Sequence, residues 1–226
     1  MLLATTSQTR RFKDDVFAQF ARIGKAVASP KRLELLDVLC QGPRTVEVLA
    51  EHASLSLANA SQHLQVLRTA RLIEAEKNGL FVTYRLAAGV EGFYLGIRHL
   101  AEARLAEVEA TTRAFLEERG AMEWVDNADL LQRALSGEVT VLDVRPPEEY
   151  RAGHLPNARS IPLSELRSRL DELSKDREVV AYCRGPYCVL AIEAVRMLRA
   201  EGFTAVRLET GPPNWRAAGV PLESSA

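Results

Sequence analysis

Residues 54–86 read SLSLANASQHLQVLRTARLIEAEKNGLFVTYRL, and the hydrophobic period changes part-way along. Over the first half Ala60, Leu64 and Leu67 recur at helical spacing, with Asn59, Gln62 and Gln65 on the opposite face. Two short strand-like runs follow, residues 72–78 and 80–87, joined at Asn78-Gly79, a dipeptide suited to the left-handed backbone of a tight hairpin. A polar-faced helix followed by a hairpin suits the reading of DNA. The helix fits the major groove and the hairpin reaches the flanking backbone.

Upstream of this stretch, three helices are expected. Thr45 is a good N-cap for residues 46–53, with Val48 and Leu49 inward. Pro30 suits the first turn of a helix carrying Leu33, Leu36 and Leu39, which ends at Gly42-Pro43. Residues 11–28 place Phe12, Val16, Phe20 and Ile23 at helical spacing. Downstream, residues 90–119 read as one long helix ending at Gly120. The domain boundary is expected near Gly120–Glu123, giving domains 1–120 and 121–226 with no Gly/Ser- or Pro-rich linker between them.

The residue types on the expected recognition helix match base-reading chemistry. The amides of Asn59 and Gln62 can bond adenine bidentately, and Ser61, His63 and Gln65 add a hydroxyl, an imidazole and an amide. Arg68, Lys77 and Asn78 suit phosphate contacts. The segment resembles the recognition helix and wing of ArsR-type repressors. Gln62-His63-Leu64, Val66-Leu67-Arg68 and Tyr84-Arg85-Leu86 fill the places of that family's motifs. The resemblance covers about residues 12–119. It implies a winged helix-turn-helix homodimer, joined through the first and last helices of this half, on double-stranded operator DNA. The family's Cys-x-Cys metal motif is missing from residues 45–53, and His99 with Glu102 is only a fragment of its last-helix metal site. No metal and no cofactor are expected. Cys40 reads as a buried packing residue.

The rear half alternates differently. Helices are expected over 127–136, around 164–173 and over 189–202, and buried strands over 139–144, 179–182 and 205–209, the pattern of an α/β sheet with covering helices. Between the second strand and the last of these helices lies CRGPYC, residues 183–188. Loop N–H groups at a helix N-terminus favour an anion, and so lower a thiol pKa. Cys183 is therefore the candidate nucleophile, cradled by the amides of Gly185, Tyr187, Cys188 and Val189, with Arg184 as a nearby positive charge. Pro186 contributes no N–H. Cys188 has two readings: a thiol that resolves a modified Cys183, or a small apolar residue at the helix start.

Residues 141–166 resemble the opening signature of rhodanese domains, through Asp143, Arg145, Glu149, Tyr150, Gly153, His154, Pro156, Ala158, Ile161 and Pro162. Residues 207–223 resemble the closing segment, with Trp215 in place and Thr210 where a glycine is usual. The resemblance spans about residues 123–223. It implies a domain that carries sulfane sulfur as a cysteine persulfide, with a small sulfur donor as partner. Asp143 and Arg145, at the preceding strand end, read as structural residues that fix the loop rather than as catalytic ones. Rhodaneses usually place Arg or Lys at the sixth loop position, and this chain has Cys188 there.

The bulk composition agrees with two soluble domains. The chain has 226 residues, 47% hydrophobic and 26% charged, enough for two separate cores. Residues 1–90 hold 12 Lys+Arg against 8 Asp+Glu, and residues 121–226 hold 13 against 16, so the front is basic and the rear acidic. Three cysteines exclude a disulfide scaffold. No signal peptide and no membrane span are read, so a cytoplasmic location without membrane contact is expected. The leading expectation is a mainly α winged helix-turn-helix domain followed by an α/β rhodanese-like domain, acting as a repressor that responds to reactive sulfur. The alternatives are a sulfurtransferase that regulates its own production, and an arsenite or metal sensor.

Overall fold

The computed structural model describes residues 7–79, 81–120 and 127–225, with the side chains of residues 78 and 127 outside that description. The chain divides into two compact units, Met1–Tyr94 and Leu95–Ala226.

The first unit contains α1 (Ser7–Val27), α2 (Pro30–Leu39), β1 (Arg44–Thr45), α3 (Val46–His52), α4 (Leu57–Thr69), β2 (Ile73–Asn78) and β3 (Phe81–Leu86). Its core is built from the helices' leucines: Leu35, Leu36, Leu49, Leu64 and Leu67 are all fully buried. Ser56 caps α4 by accepting a hydrogen bond from the Asn59 amide, 3.3 Å. The antiparallel sheet has the order β1-β3-β2.

Two local expectations shift. Thr45 occupies the N-cap position of α3 without a side-chain cap bond, because its backbone is drawn into β1 and pairs with Thr83. The hairpin turns one residue later than the Asn78-Gly79 dipeptide. Asn78 pairs with Phe81, and Gly79 takes the left-handed conformation at φ 62°. Helix α1 buries only Ala26 among its residues, and Phe12, Phe17 and Phe20 stand exposed.

The expected helix over 90–119 is two helices, α5 (Val90–Arg104) and α6 (Ala106–Glu118). Leu105 between them has extended backbone, φ −113° and ψ 99°, and serves as the N-cap residue of α6. The junction of the two units falls within α5. Of the boundary expected from sequence, residues 121–123 lie outside the described residues.

The second unit continues with α7 (Asn127–Ser136), β4 (Thr140–Asp143), α8 (Pro147–Ala152), β5 (Arg159–Ser160), α9 (Leu163–Leu166), β6 (Val179–Tyr182), α10 (Leu190–Ala200), β7 (Ala205–Arg207) and α11 (Pro212–Ala217). Its four strands are all parallel, in the order β5-β4-β6-β7. The helix expected around 164–173 is instead α9 followed by a 3₁₀ segment over Arg167–Glu172.

The sheet separates two apolar layers, and strand alternation assigns residues to them. Val179, Ala181 and Cys183 pack with Ala191, Ala194 and Leu198 of α10. Val180 and Tyr182 pack with Leu130 and Ala134 of α7 and with Trp215 of α11. Tyr182 meets Trp215 edge-on at 4.9 Å, and the Trp215 indole donates to the Thr210 hydroxyl at 2.8 Å. Thr210, which stands where a glycine was expected, thus satisfies a buried indole N–H. Among the described residues, no helix is long and apolar enough to cross a membrane.

Candidate functional site

The cysteine loop leaves β6 at Cys183 and enters α10 at Leu190. Cys183 continues the alternation of β6 into the layer beneath α10 and is only 1% exposed, whereas Cys188 is partly exposed. The Cys183 thiol donates to the Cys188 carbonyl at 3.4 Å. The two thiols also influence each other's ionisation.

Burial pushes the Cys183 thiol well above its ordinary range, and its neighbour Cys188 adds to that shift. Cys188 moves the other way, to about 7. The hydrogen bond from Cys183 is the main cause, opposed by burial and aided by the N–H groups of Arg184 and Leu190 and the charge of Arg184. The sequence reading placed the lowered thiol at Cys183; in the folded loop burial raises Cys183 and its interaction with Cys188 lowers Cys188. The supporting amides differ too. Gly185 and Ala191 act on Cys183, Arg184 and Leu190 act on Cys188, and the Cys188 N–H turns to the Gly185 carbonyl at 3.1 Å. Tyr187 and Val189 stand exposed and Pro186 is partly exposed.

Two buried ion pairs shape the loop. Asp143 and Arg145 lie at the end of β4, both fully buried, and the Arg145 Nη2 bonds Asp143 at 2.6 Å and the Gly153 carbonyl at 2.7 Å. They lock the turn after β4. Arg184 forks onto Glu149 of α8, whose carboxylate is completely buried. Glu149 was legible only as one letter of a signature. Its pairing with Arg184 depends on the packing of α8 against the loop, which no local pattern encodes. Gly211 is a second residue that sequence reading missed. A Cβ there would lie 2.7 Å from the Cys183 carbonyl and closer still to that of Arg184, so only glycine lets α11 approach the loop.

On α4 of the first unit, Asn59, Ser61, Gln62, Gln65 and Arg68 are exposed, opposite buried Ala60, Leu64 and Leu67. His63 is half-buried, Lys77 is exposed on β2, and the side chain of Asn78 lies outside the described residues. Cys40 is buried after the last turn of α2. Among the described residues no group of three or more His, Cys, Asp or Glu is arranged to hold a metal ion.

Comparison with known proteins fits both halves. The profile of the bacterial regulatory protein arsR family matches residues 29–75, and that of the rhodanese-like domain matches residues 126–218. The HTH-type transcriptional regulator Rv0324 of Mycobacterium tuberculosis is 44% identical over 210 residues, covering 92% of each chain. The chain is an ArsR-family transcriptional regulator with a rhodanese-like domain. Over its rear part this regulator is also similar to a protein of Allochromatium vinosum named Sulfurtransferase, 33% identical over 43% of this chain and 92% of that one. Over its front part it is similar to the solution structure of the homodimeric winged helix-turn-helix DNA-binding domain of Mb0332 from Mycobacterium bovis. That likeness is 36% identical, covers 41% of this chain and 87% of the other, and has a TM-score of 0.40.

Proposed function

We propose that this regulator is a cytoplasmic, homodimeric repressor whose cysteine loop takes up sulfane sulfur and thereby changes operator binding. The observation that carries the reading is the pairing of a partly exposed thiol, drawn down to about 7, with a buried thiol in the same loop. At neutral pH Cys188 therefore holds more thiolate, the nucleophilic form, than an ordinary cysteine does. The thiolate attacks the outer sulfur of a persulfide R–S–SH. The donor S–S bond breaks, Cys188–S–SH forms, and R–S⁻ leaves and takes up the proton that Cys188 released. Cys183 then attacks the inner sulfur, forming the Cys183–Cys188 disulfide and releasing hydrogen sulfide with the thiol proton. The sulfane sulfur is reduced and the two thiols are oxidised. This order reverses the sequence expectation, in which Cys183 reacted first, because Cys183 is the buried partner.

The DNA-reading residues of this proposal are Asn59, Ser61, Gln62, His63 and Gln65 toward bases, and Arg68, Lys77 and Asn78 toward phosphates. Dimerisation through α1 would cover the exposed Phe12, Phe17 and Phe20.

The test is peptide mass spectrometry of the reduced protein after treatment with an organic persulfide, with operator binding measured on the same sample. The expected result is sulfur on Cys188 followed by the disulfide, with operator affinity changing in step. Cys183→Ala should stop at the Cys188 persulfide, and Cys188→Ala should block uptake. Uptake by Cys188→Ala at wild-type rate would overturn the order, and modification without change in operator affinity would overturn the regulatory role. Many turnovers with thiosulfate and cyanide would instead favour a sulfurtransferase. Against that reading, Arg184 is held by Glu149 and no cation stands at the sixth loop position.

A further inference from the structure

Within the second unit a cavity of about 500 Å³ lies between α5–α6 and the cysteine loop, with Pro186 and Tyr187 in its wall. Arg98 of α5 lines it. This guanidinium is 8% exposed, and its Nε makes no hydrogen bond with any described residue, meeting only the Glu102 carboxylate at 3.4 Å. Glu102 is shared, because it also accepts from the Tyr187 hydroxyl at 2.8 Å. A second lining residue, Asn214, buries its Oδ1 without a hydrogen-bond partner among the described residues. Both groups converge on the loop: Asn214 Oδ1 is 3.7 Å and Arg98 Nη1 3.9 Å from where a Cβ on Gly185 would stand. Buried polar groups without partners are uncommon and call for a reason.

The geometry points to this cavity as the binding site of a small thiol of amino-acid or peptide type, presented as its persulfide, with Arg98 holding its carboxylate beside the cysteine loop. Arg98 would supply from α5 the cation that the sixth loop position lacks. Asn214 Oδ1 offers an acceptor for the ligand's N–H. The volume falls in the range of organic ligand sites, roughly 300–1,000 Å³, and is far larger than an inorganic sulfur anion needs. The lining also carries Glu102, Glu109 and Glu209, ion-paired with Arg98, Arg113 and Arg207. Three carboxylates beside the arginines disfavour a bare dianion and suit a ligand that bears an ammonium group. Val108 and Leu116 give an apolar wall for its carbon frame.

This inference rests on the sulfur-uptake reading for its chemistry but not for its binding step, and the two are separated by experiment. Reduced full-length protein is titrated calorimetrically with glutathione, which contains no sulfane sulfur. Sulfur uptake is then followed with glutathione persulfide and with thiosulfate. Glutathione should bind the wild type, and Arg98→Gln should weaken it about ten- to hundredfold, the loss expected for a hydrogen bond to a charged group. Arg98→Lys should restore part of the affinity. Arg98→Gln should slow uptake from glutathione persulfide while leaving alkylation of Cys188 by iodoacetamide unchanged, which also shows that the loop is still folded. Binding without sulfur uptake would keep the cavity and remove the sulfur reading. Uptake without glutathione binding, equal binding by wild type and Arg98→Gln, or uptake from thiosulfate alone would overturn the cavity's assignment.

Discussion

Arg184 lays its guanidinium on the buried carboxylate of Glu149, with Nη2–Oε1 at 2.7 Å and Nε 3.1 and 3.0 Å from the two oxygens. The one loop cation is thereby neutralised by α8 rather than offered to a donor anion. Replacing Glu149 by Gln takes from that buried cation its carboxylate partner. The expected loss is about 3–5 kcal/mol of stability, read from the midpoint of urea unfolding. Combining it with Arg184→Met should recover a large part of the loss, since the uncompensated charge is then gone.

The thiol pair gives a pH signature. Cys188 ionises at about 7 in the folded chain because the Cys183 thiol donates to it. Removing that donor with Cys183→Ala should move the midpoint of iodoacetamide alkylation upward, toward the ordinary 9. The folded pKa lies below the ordinary value, so Cys188 adds stability that is complete above about 9 and is lost as pH falls through about 7. Cys183 has the opposite sign. Its raised pKa makes stability fall as pH climbs above its ordinary 9. Unfolding free energy measured against pH should therefore rise between about 7 and 9, and Cys188→Ser should flatten that rise.

Gly211 offers a steric test of the loop. A methyl group there meets the carbonyls of Cys183 and Arg184, which are backbone and cannot rotate away. Gly211→Ala should cost about 1–3 kcal/mol, the usual range for overpacking, and should slow sulfur uptake more than Gly219→Ala. Around Gly219 nothing lies within 4 Å, although its own φ of 74° makes that substitution a fair control for backbone strain. Equal uptake rates for the two variants would mean that the approach of α11 does not shape the loop.

The exposed face of α4 and the wing separates two kinds of DNA contact. Gln62→Ala should cost about 1–3 kcal/mol on the operator and relax preference at one base position. Lys77→Ala should weaken all sequences alike and reduce the slope of log affinity against log salt by about 1. Fluorescence anisotropy on operator and scrambled duplexes, at several salt concentrations, distinguishes the two.

The sequence made the architecture legible wherever a local period or a turn residue decided it. The buried stripe of Ala60, Leu64 and Leu67 and the strand over residues 179–182 both stand as expected. The misses come from interactions between distant segments. Thr45 gives up its cap role because β3 pairs with it, and the break at Leu105 interrupts a run whose helical period looks continuous. At the site, both cysteines were visible, but the assignment of roles between them was not. That assignment depends on which sulfur the sheet buries, and on a hydrogen bond whose direction no spacing reveals. Glu149 and Gly211 act on the loop from other elements, 34 and 28 residues from Cys183, so their roles emerge only once the chain has folded.

The alternation along β6 sets a parity rule for the site. Odd-numbered residues of this strand face α10, and even-numbered ones face α11. Cys183 inherits its side of the sheet from that count. Deleting or adding one residue within 179–182 would carry the sulfur into the layer that holds Trp215, whatever the loop sequence beyond it. Changes of loop length after Cys183 leave the count intact. A change in the loop beyond Cys183 would move Cys188 but leave Cys183 in its layer, while the strand that leads into the loop tolerates only changes of two.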